Sequence, residues 1–233
     1  MSQGLIETVR VHRGRAPLWA LHLARLIASA RALGLELPQR LPGEAEVAAA
    51  AATLADPAAV RLTLRQGAVL LEARAVPGEV SGWTACPAPR PHPGGSLAAH
   101  KTTERAAFLE AAAFAHGQGC EEAIFSNTAG SLTEGAITNV FLRRGSRLLT
   151  PPLSAGLLPG IGRARLLAAG RLAGLPVQEH DLTAADLAAA DEAFLTNAVR
   201  GAVPLLAWDG RALPEGGLWR AARELILGPE VPS

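Results

Sequence analysis

The chain of 233 residues contains no tyrosine, one methionine and two cysteines, and aromatic residues make up 4% of it. Cys86 and Cys120 stand apart, without the paired spacing of a zinc or redox centre and without a disulfide framework, so both are expected to be inert core thiols and no metal is expected. Neither sign of charge is in excess. With 22 basic and 21 acidic residues the formal charge is +1, which offers no field to nucleic acid or to a membrane surface. No apolar run approaches the length of a bilayer span, and no charged-then-apolar leader opens the sequence, so a cytoplasmic protein is expected.

What remains is a chain long enough to bury a substantial core as one large or two small domains. Gly4–His12 carries β-branched residues and partial alternation ahead of an Arg13-Gly14-Arg15 turn, and predicts a strand. Leu18, Leu21, His22, Arg25, Leu26, Ser29 and Leu33 recur at three- and four-residue steps before Gly34, the pattern of an amphipathic helix with a glycine cap. Glu44–Leu54 predicts a second helix. Val60–Arg65 and Ala68–Ala75 around Gln66-Gly67 predict a β-hairpin, and Trp83–Ala85 a further strand. Pro87, Pro89, Pro91, Pro93, Gly94 and Gly95 can propagate neither helix nor ladder, which places a connection at residues 87–95 between a smaller domain (1–86) and a larger one (96–233).

In the larger domain, Thr102 or Thr103 can cap a helix running to His116 and ended by Gly117. Glu121–Asn127, a Thr128–Ser131 turn and Leu132–Arg143 read as a hairpin, with Glu134 and Asn139 on its second strand, followed by a strand over Ser146–Thr150. Leu157–Arg163 leads into an apolar helix ending near Gly174. A glycine-bearing loop entering a helix exposes unpaired backbone N–H groups that bind phosphate. Strands are expected over Pro176–Leu182, Asp191–Asn197 and Val203–Trp208, with helices over Thr183–Ala190 and Trp219–Leu227.

His100-Lys101-Thr102-Thr103-Glu104-Arg105, Thr133-Glu134-Gly135 with Asn139, Thr150-Pro151-Pro152-Leu153 and Pro159-Gly160-Ile161-Gly162-Arg163, in this order, resemble the catalytic domain of the class IV aminotransferase family, the pyridoxal-phosphate enzymes of fold type IV. His22-x-x-Arg25-Leu26 adds to the resemblance. It implies a mixed α/β (α+β) two-domain fold, pyridoxal 5'-phosphate as cofactor and a homodimer. Lys101 is then the Schiff-base lysine and Glu134 the carboxylate that salts the pyridine nitrogen. Arg25, Asn139, Ile161, Gly162, Asn197 and Ala198 complete the cofactor site, with His22 left to packing or hydrogen bonding. The chemistry suits the parts, because such an enzyme needs an amine for the aldehyde, an anion beneath the ring nitrogen and donors for the phosphate. A lysine desolvated in a pocket loses part of its charge and becomes a usable nucleophile and base.

Two departures from the family pattern stand out. The family usually opens with a further hairpin of roughly twenty residues ahead of the Glu-Thr-x-Arg strand, whereas this sequence begins at about that strand. Gly162 stands where a hydroxyl residue is common, which leaves main-chain amides as the phosphate donors, and any role given elsewhere to a tyrosine must be filled otherwise.

Three activities share the family: branched-chain aminotransfer, D-amino-acid aminotransfer and 4-amino-4-deoxychorismate lysis. Asn197-Ala198-Val199-Arg200-Gly201, together with His100–Thr103, resembles the lyase version, giving p-aminobenzoate and pyruvate as expected products in folate biosynthesis. Arg10 and Arg200 are the candidates for the substrate's carboxylates. A transaminase is the runner-up, and a degenerate scaffold subunit is the reading outside enzymology.

Overall fold

The computed structural model describes residues 3–76, 78 and 81–228, and they form a mixed α/β protein. Packing separates them into two compact units, one from Met1–Glu79 with His100–Glu104, the other from Val80–Ala99 with Arg105–Ser233. This division differs from the one expected at residues 87–95. The strand at Trp83 hydrogen-bonds within the larger unit, while the lysine segment returns to the smaller one.

The smaller unit comprises β1 (Leu5–Val11), α1 (Trp19–Ala32), α2 (Glu44–Ala49), β2 (Ala58–Arg65) and β3 (Ala68–Ala75). The three strands form an antiparallel sheet in the order β1-β2-β3, with Leu5 opposite Leu64 and Val11 opposite Ala58. The β2–β3 hairpin turns at Gln66 and Gly67, both with positive φ (49° and 69°), the conformation that matches the twist of the flanking strands. Trp19, His22, Leu26, Ser29 and Ala30 form the buried stripe of α1, and its apolar members pack with Leu5, Val9, Val60, Leu62 and Leu64. The helix expected over Glu44–Leu54 ends early. After Ala49 the chain closes turns of the i to i+3 kind, as in Ala52 N–H to Ala49 O at 3.1 Å and Leu54 N–H to Ala51 O at 3.0 Å.

The larger unit comprises β4 (Trp83–Pro87), α3 (Ala106–Gly117), β5 (Glu122–Ser126), β6 (Leu132–Gly135), β7 (Asn139–Arg144), β8 (Arg147–Thr150), α4 (Ile161–Ala169), β9 (Arg171–Leu172), β10 (Leu175–Glu179), α5 (Ala184–Ala188), β11 (Glu192–Asn197), β12 (Gly201–Trp208), β13 (Arg211–Ala212) and α6 (Leu218–Leu227). Its sheet runs β11-β12-β4-β5-β6-β7-β8-β10-β9, with β13 on β12, and closes on itself where β7 also pairs with β11. Closure removes free edges among the central strands. β5, β6, β7 and β11 are buried along most of their length, polar residues included. Phe141 and Phe194, directly opposite in the β7–β11 ladder, stack at 5.3 Å between ring centroids.

Two buried glutamates begin strands β5 and β11 and act as staples. Glu122 accepts N–H bonds from Ala123, Ala136 and Ile137 and a hydroxyl bond from Thr138. Glu192 accepts the N–H groups of Leu218 and Trp219 at the start of α6.

Several expected boundaries move. The strand expected over Leu132–Arg143 is two strands, because Glu122 binds the turn Ala136–Thr138 and folds it back. Neither Thr102 nor Thr103 caps α3, which starts after Arg105. Thr103 instead takes the Gly4 N–H on its hydroxyl at 3.1 Å, and Thr102 bridges to Leu5. Gly117 lies inside α3, with Gln118 as its cap. The helix expected to reach Gly174 stops at Ala169, where Gly170 takes φ 68°, leaving residues 171–172 to β9. Thr183 does cap α5, in a reciprocal pair with Asp186.

Candidate active site

The predicted residues fall on both units, and each set is built by its own scaffold. Lys101, Arg25 and Arg10 belong to the smaller unit; Glu134, Asn139, Ile161, Gly162, Asn197, Ala198 and Arg200 belong to the larger.

Lys101 sits in a segment sewn along the edge of β1. Its carbonyl accepts the Ile6 N–H at 2.8 Å, Thr103 N–H donates to Gly4 O at 2.8 Å, and His100 Nδ1 lies 3.0 Å from the Ser29 hydroxyl of α1. His100, Lys101 and Thr103 are thus anchored by main-chain or side-chain bonds, which fixes the root of the lysine. One and two turns of α1 away from Ser29, Arg25 and His22 face the fully buried Glu7. Arg25 grips this carboxylate with two nitrogens, Nε to Oε1 at 2.9 Å and Nη2 to Oε2 at 2.6 Å, and His22 Nδ1 is 2.6 Å from Oε2.

Burial alone would raise the Glu7 pKa, yet the charge of Arg25 and the bonds from His22 and Arg25 outweigh it and hold the group at about 2. For His22 burial dominates and pushes its pKa down, opposed by the bond to Glu7 and assisted by the charges of Arg25 and Lys101. His22 is therefore a neutral ring donating from Nδ1 to a carboxylate, the hydrogen-bonding part expected of it. Arg25, expected as a phosphate cation, has its Nε and Nη2 engaged by Glu7. Arg10 is buried in β1, opposite Ala59.

In the larger unit Glu134 projects from β6 and stands directly opposite Asn139 of β7. The two residues are cross-strand partners rather than neighbours on one strand, a correction that follows from the stapled turn between them. Both bind Leu158. Its N–H donates to Glu134 Oε1 at 3.0 Å, and its carbonyl accepts from Asn139 Nδ2 at 3.0 Å. The Thr-Glu-Gly motif has a steric reason as well. A Cβ on Gly135 would lie 2.2 Å from Thr138 Oγ1 and 2.7 Å from Glu122 Oε2.

The clamp on Leu158 sets the entry to α4. Gly160 precedes the helix, and a Cβ there would meet Asn139 Oδ1 at 1.9 Å. Ile161 and Gly162 are then the first helical residues, whose N–H groups have no intrahelical acceptor. Arg163, also buried, locks this end by donating to Pro151 O at 2.8 Å and to Glu179. Gly162 lies against Thr196, the penultimate residue of β11, whose Cβ is 3.5 Å from the position of an added Cβ. Thr196 is 1% exposed, and its hydroxyl has no hydrogen-bond partner among the described residues.

Asn197 shapes the next loop by accepting the N–H groups of Val199 at 3.0 Å and Arg200 at 2.8 Å, with Ala198 between them and the strand. The Arg200 guanidinium lies 5.9 Å from the centroid of the Trp83 ring.

Sequence reasoning missed Glu7, Thr196 and His92. A buried acid facing His-x-x-Arg was detectable as Glu-Thr-x-Arg in β1, but its partner lay on another element. His92 was hidden in a proline-rich stretch read as a connection; it lies 3.1 Å from Glu134. One signal was fully available in composition. Lys101 is the only lysine in the sequence, so any chemistry that needs a lysine amine falls on it.

The fold and these residues define a family. The chain belongs to the amino-transferase class IV family, whose model matches residues 4–208. A probable branched-chain-amino-acid aminotransferase from Thermotoga maritima is 36% identical over 86 residues, 37% of this chain and 32% of that enzyme. The aminodeoxychorismate lyase of Bacillus subtilis is likewise 36% identical, over 83 residues, 36% of this chain and 28% of that protein. The chain thus matches about a third of the length of these curated relatives. A solved structure of a hypothetical aminotransferase from Mycobacterium tuberculosis in its PLP-bound form matches with a TM-score of 0.84 at 29% identity, covering 96% of this chain and 87% of that one.

Proposed function

We propose that this chain is a pyridoxal-phosphate enzyme that lyses 4-amino-4-deoxychorismate to p-aminobenzoate and pyruvate. The observation that carries the coenzyme reading is the buried, unpartnered Thr196 hydroxyl beside the start of α4. A phosphate would satisfy that hydroxyl together with the N–H groups at Ile161, Gly162 and Ala198, and the positive end of the helix dipole favours its charge. The family resemblance gives Arg25, oriented by Glu7, as a phosphate cation, and Asn139 and Asn197 shape the loops that carry the amides. Glu134 offers a carboxylate to a pyridine N–H, and Lys101 supplies the amine for the aldehyde.

When bound, the coenzyme supplies an electron sink for the bond that breaks at the amine-bearing carbon of the substrate. With the coenzyme in place, Lys101 would be the base that takes the proton from that carbon. Glu134 holds the proton on the ring nitrogen. The ether C–O bond then breaks, the carbocycle becomes aromatic, and the proton that returns to the departing three-carbon fragment makes it pyruvate. Arg200 and Arg10 are the cations for the two substrate carboxylates.

Asn197-Ala198, in place of the small hydroxyl and glycine residues common in transaminases, supports the lyase over its runner-up, and the Bacillus relative agrees with it. The Thermotoga relative favours aminotransfer instead. The two readings part in one assay: the lyase releases p-aminobenzoate and pyruvate in equal amounts with no keto acid added, and the transaminase exchanges amino groups between glutamate and branched-chain keto acids. Coenzyme attachment is tested separately. Borohydride treatment of the loaded protein should leave a stable pyridoxyl group on Lys101, and Lys101→Ala should abolish it; a protein that stays colourless with added pyridoxal phosphate is a scaffold. A homodimer is part of the same proposal and is checked by sedimentation.

A further inference from the structure

His92 makes contacts that a connecting segment does not require. Its side chain is 1% exposed, and its ring packs edge-on against Phe108 and Phe125 at 5.4 and 5.5 Å between centroids. Its main-chain N–H is fixed to Ser126 O at 2.8 Å. The two ring nitrogens have different partners. Gly94 donates its N–H to Nδ1 at 3.0 Å, while Nε2 lies 3.1 Å from Glu134 Oε1. A backbone N–H can only donate, so Nδ1 must be the lone-pair nitrogen and Nε2 must carry the hydrogen. The ring is therefore a neutral imidazole whose Nε2–H donates to Glu134. Gly94 itself takes φ 59°, the left-handed conformation that glycine favours.

We propose that His92 is a positioning residue for Glu134, locked as the Nε2–H tautomer. Oε1 of Glu134 then receives two donors, His92 Nε2–H and Leu158 N–H. Neither bond uses Oε2, which becomes the oxygen that takes the ring N–H of the coenzyme. The hydrogen bond to the histidine and the hydrogen bond to the loop before α4 fix the carboxylate's torsion before any ligand arrives, so its orientation is set by the apoprotein. This inference rests on the reading of Glu134 as the carboxylate that faces the coenzyme.

The test has an arm that needs no coenzyme. In the apoprotein, long-range proton–nitrogen NMR correlations of His92 should show the Nε2–H tautomer. A double-mutant cycle between His92→Phe and Glu134→Gln should show coupling of roughly tenfold in the unfolding equilibrium constant. In the loaded protein, His92→Phe should shift the coenzyme absorption band, speed coenzyme release and lower kcat by about tenfold with KM little changed. His92→Gln, which can place an amide N–H near the position of Nε2, should recover most of that loss. An Nδ1–H tautomer, additive mutations, or a folded His92→Phe protein with the wild-type spectrum and release rate would each overturn the proposal. If His92→Phe does not fold, the Gln variant decides, because a folded Gln protein with the wild-type spectrum supports the donor role and one with an altered spectrum and faster release overturns it. A wild-type protein that binds no pyridoxal phosphate would defeat the functional reading instead, and the NMR and coupling results would still decide whether His92 orients Glu134.

Discussion

Glu134 and Asn139 face each other across the β6–β7 ladder and hold opposite ends of one peptide neighbour, Leu158, the first through its N–H and the second through its carbonyl. A sheet thereby dictates the start of a helix, because the residues after Leu158 lead directly into α4.

Removing the clamp should loosen that start. Asn139→Ala leaves the Leu158 carbonyl without its donor and should cost about 1–2 kcal/mol in urea unfolding, with faster hydrogen exchange at the α4 entry. Gly160→Ala should cost more, since its Cβ falls 1.9 Å from Asn139 Oδ1. The double variant should be less destabilised than the sum, because truncating Asn139 makes room for the new methyl group. Strict additivity would mean that the two residues do not meet.

Thr196→Val tests the phosphate cradle. The hydroxyl has no partner among the described residues, so its replacement by a methyl group of the same shape should leave apoprotein stability within about 0.5 kcal/mol of wild type or raise it slightly. Coenzyme affinity should nevertheless fall about tenfold, or about 1.4 kcal/mol. Equal affinities, measured by titrating apoprotein with pyridoxal phosphate, would remove Thr196 from the site.

Glu7 should make the smaller unit sensitive to acid. Its folded pKa of about 2 lies below the ordinary 4.5, so its stabilising contribution is complete above pH 4.5 and is lost as pH falls toward 2. The difference corresponds to about 3 kcal/mol. Glu7→Gln should lose a similar amount at neutral pH, having left the largely desolvated Arg25 guanidinium against a neutral amide, and should be insensitive to pH in that window. Urea midpoints followed from pH 7 to pH 2 give the comparison.

Glu122 should act with the opposite sign in a different window. Burial, opposed by the bonds from Thr138, Ile137, Ala123 and Ala136, pushes its pKa up from 4.5 to about 7. Between these values the folded state holds the extra proton, so the larger unit should weaken as pH rises from 4.5 to 7, by about 3 kcal/mol across the interval. Glu122→Gln should flatten that slope. It should also be less stable at pH 5, since the amide turns two N–H donors, where the protonated acid has one O–H, toward groups that are themselves donors. A wild-type protein whose stability is level across this interval, once other titrations are matched by the variant, would contradict the assignment.

Much of the fold was legible because it rests on local rules. The β2–β3 turn needed only Gln66-Gly67, α1 needed a 3.6-residue apolar stripe with Gly34 after it, and α5 needed Thr183 three residues before Asp186. The misplaced boundaries were those where a distant side chain overrode local preference. Thr102 and Thr103 are good helix caps by type, yet the edge of β1 recruits both. Residues 132–143 read as the second strand of a hairpin, yet the carboxyl group of Glu122 on the preceding strand folds three of them into a turn. Of the candidate residues, Lys101, Glu134 and Asn139 could be named from their order along the chain, whereas His92 sat in a stretch whose prolines gave only a negative signal.

The order and spacing of residues by themselves determined the mixed α/β class and the family, and singled out Lys101 as the candidate amine, because each of these is written in neighbouring residues or in a count. Only the tertiary structure decided that Glu7 holds Arg25, that Glu134 and Asn139 share Leu158, and that His92 offers its Nε2–H to Glu134. Hydrogen bonds act over about 3 Å between atoms that can be many residues apart. A sequence states which donors and acceptors exist, and the packing of strands and helices determines which of them meet.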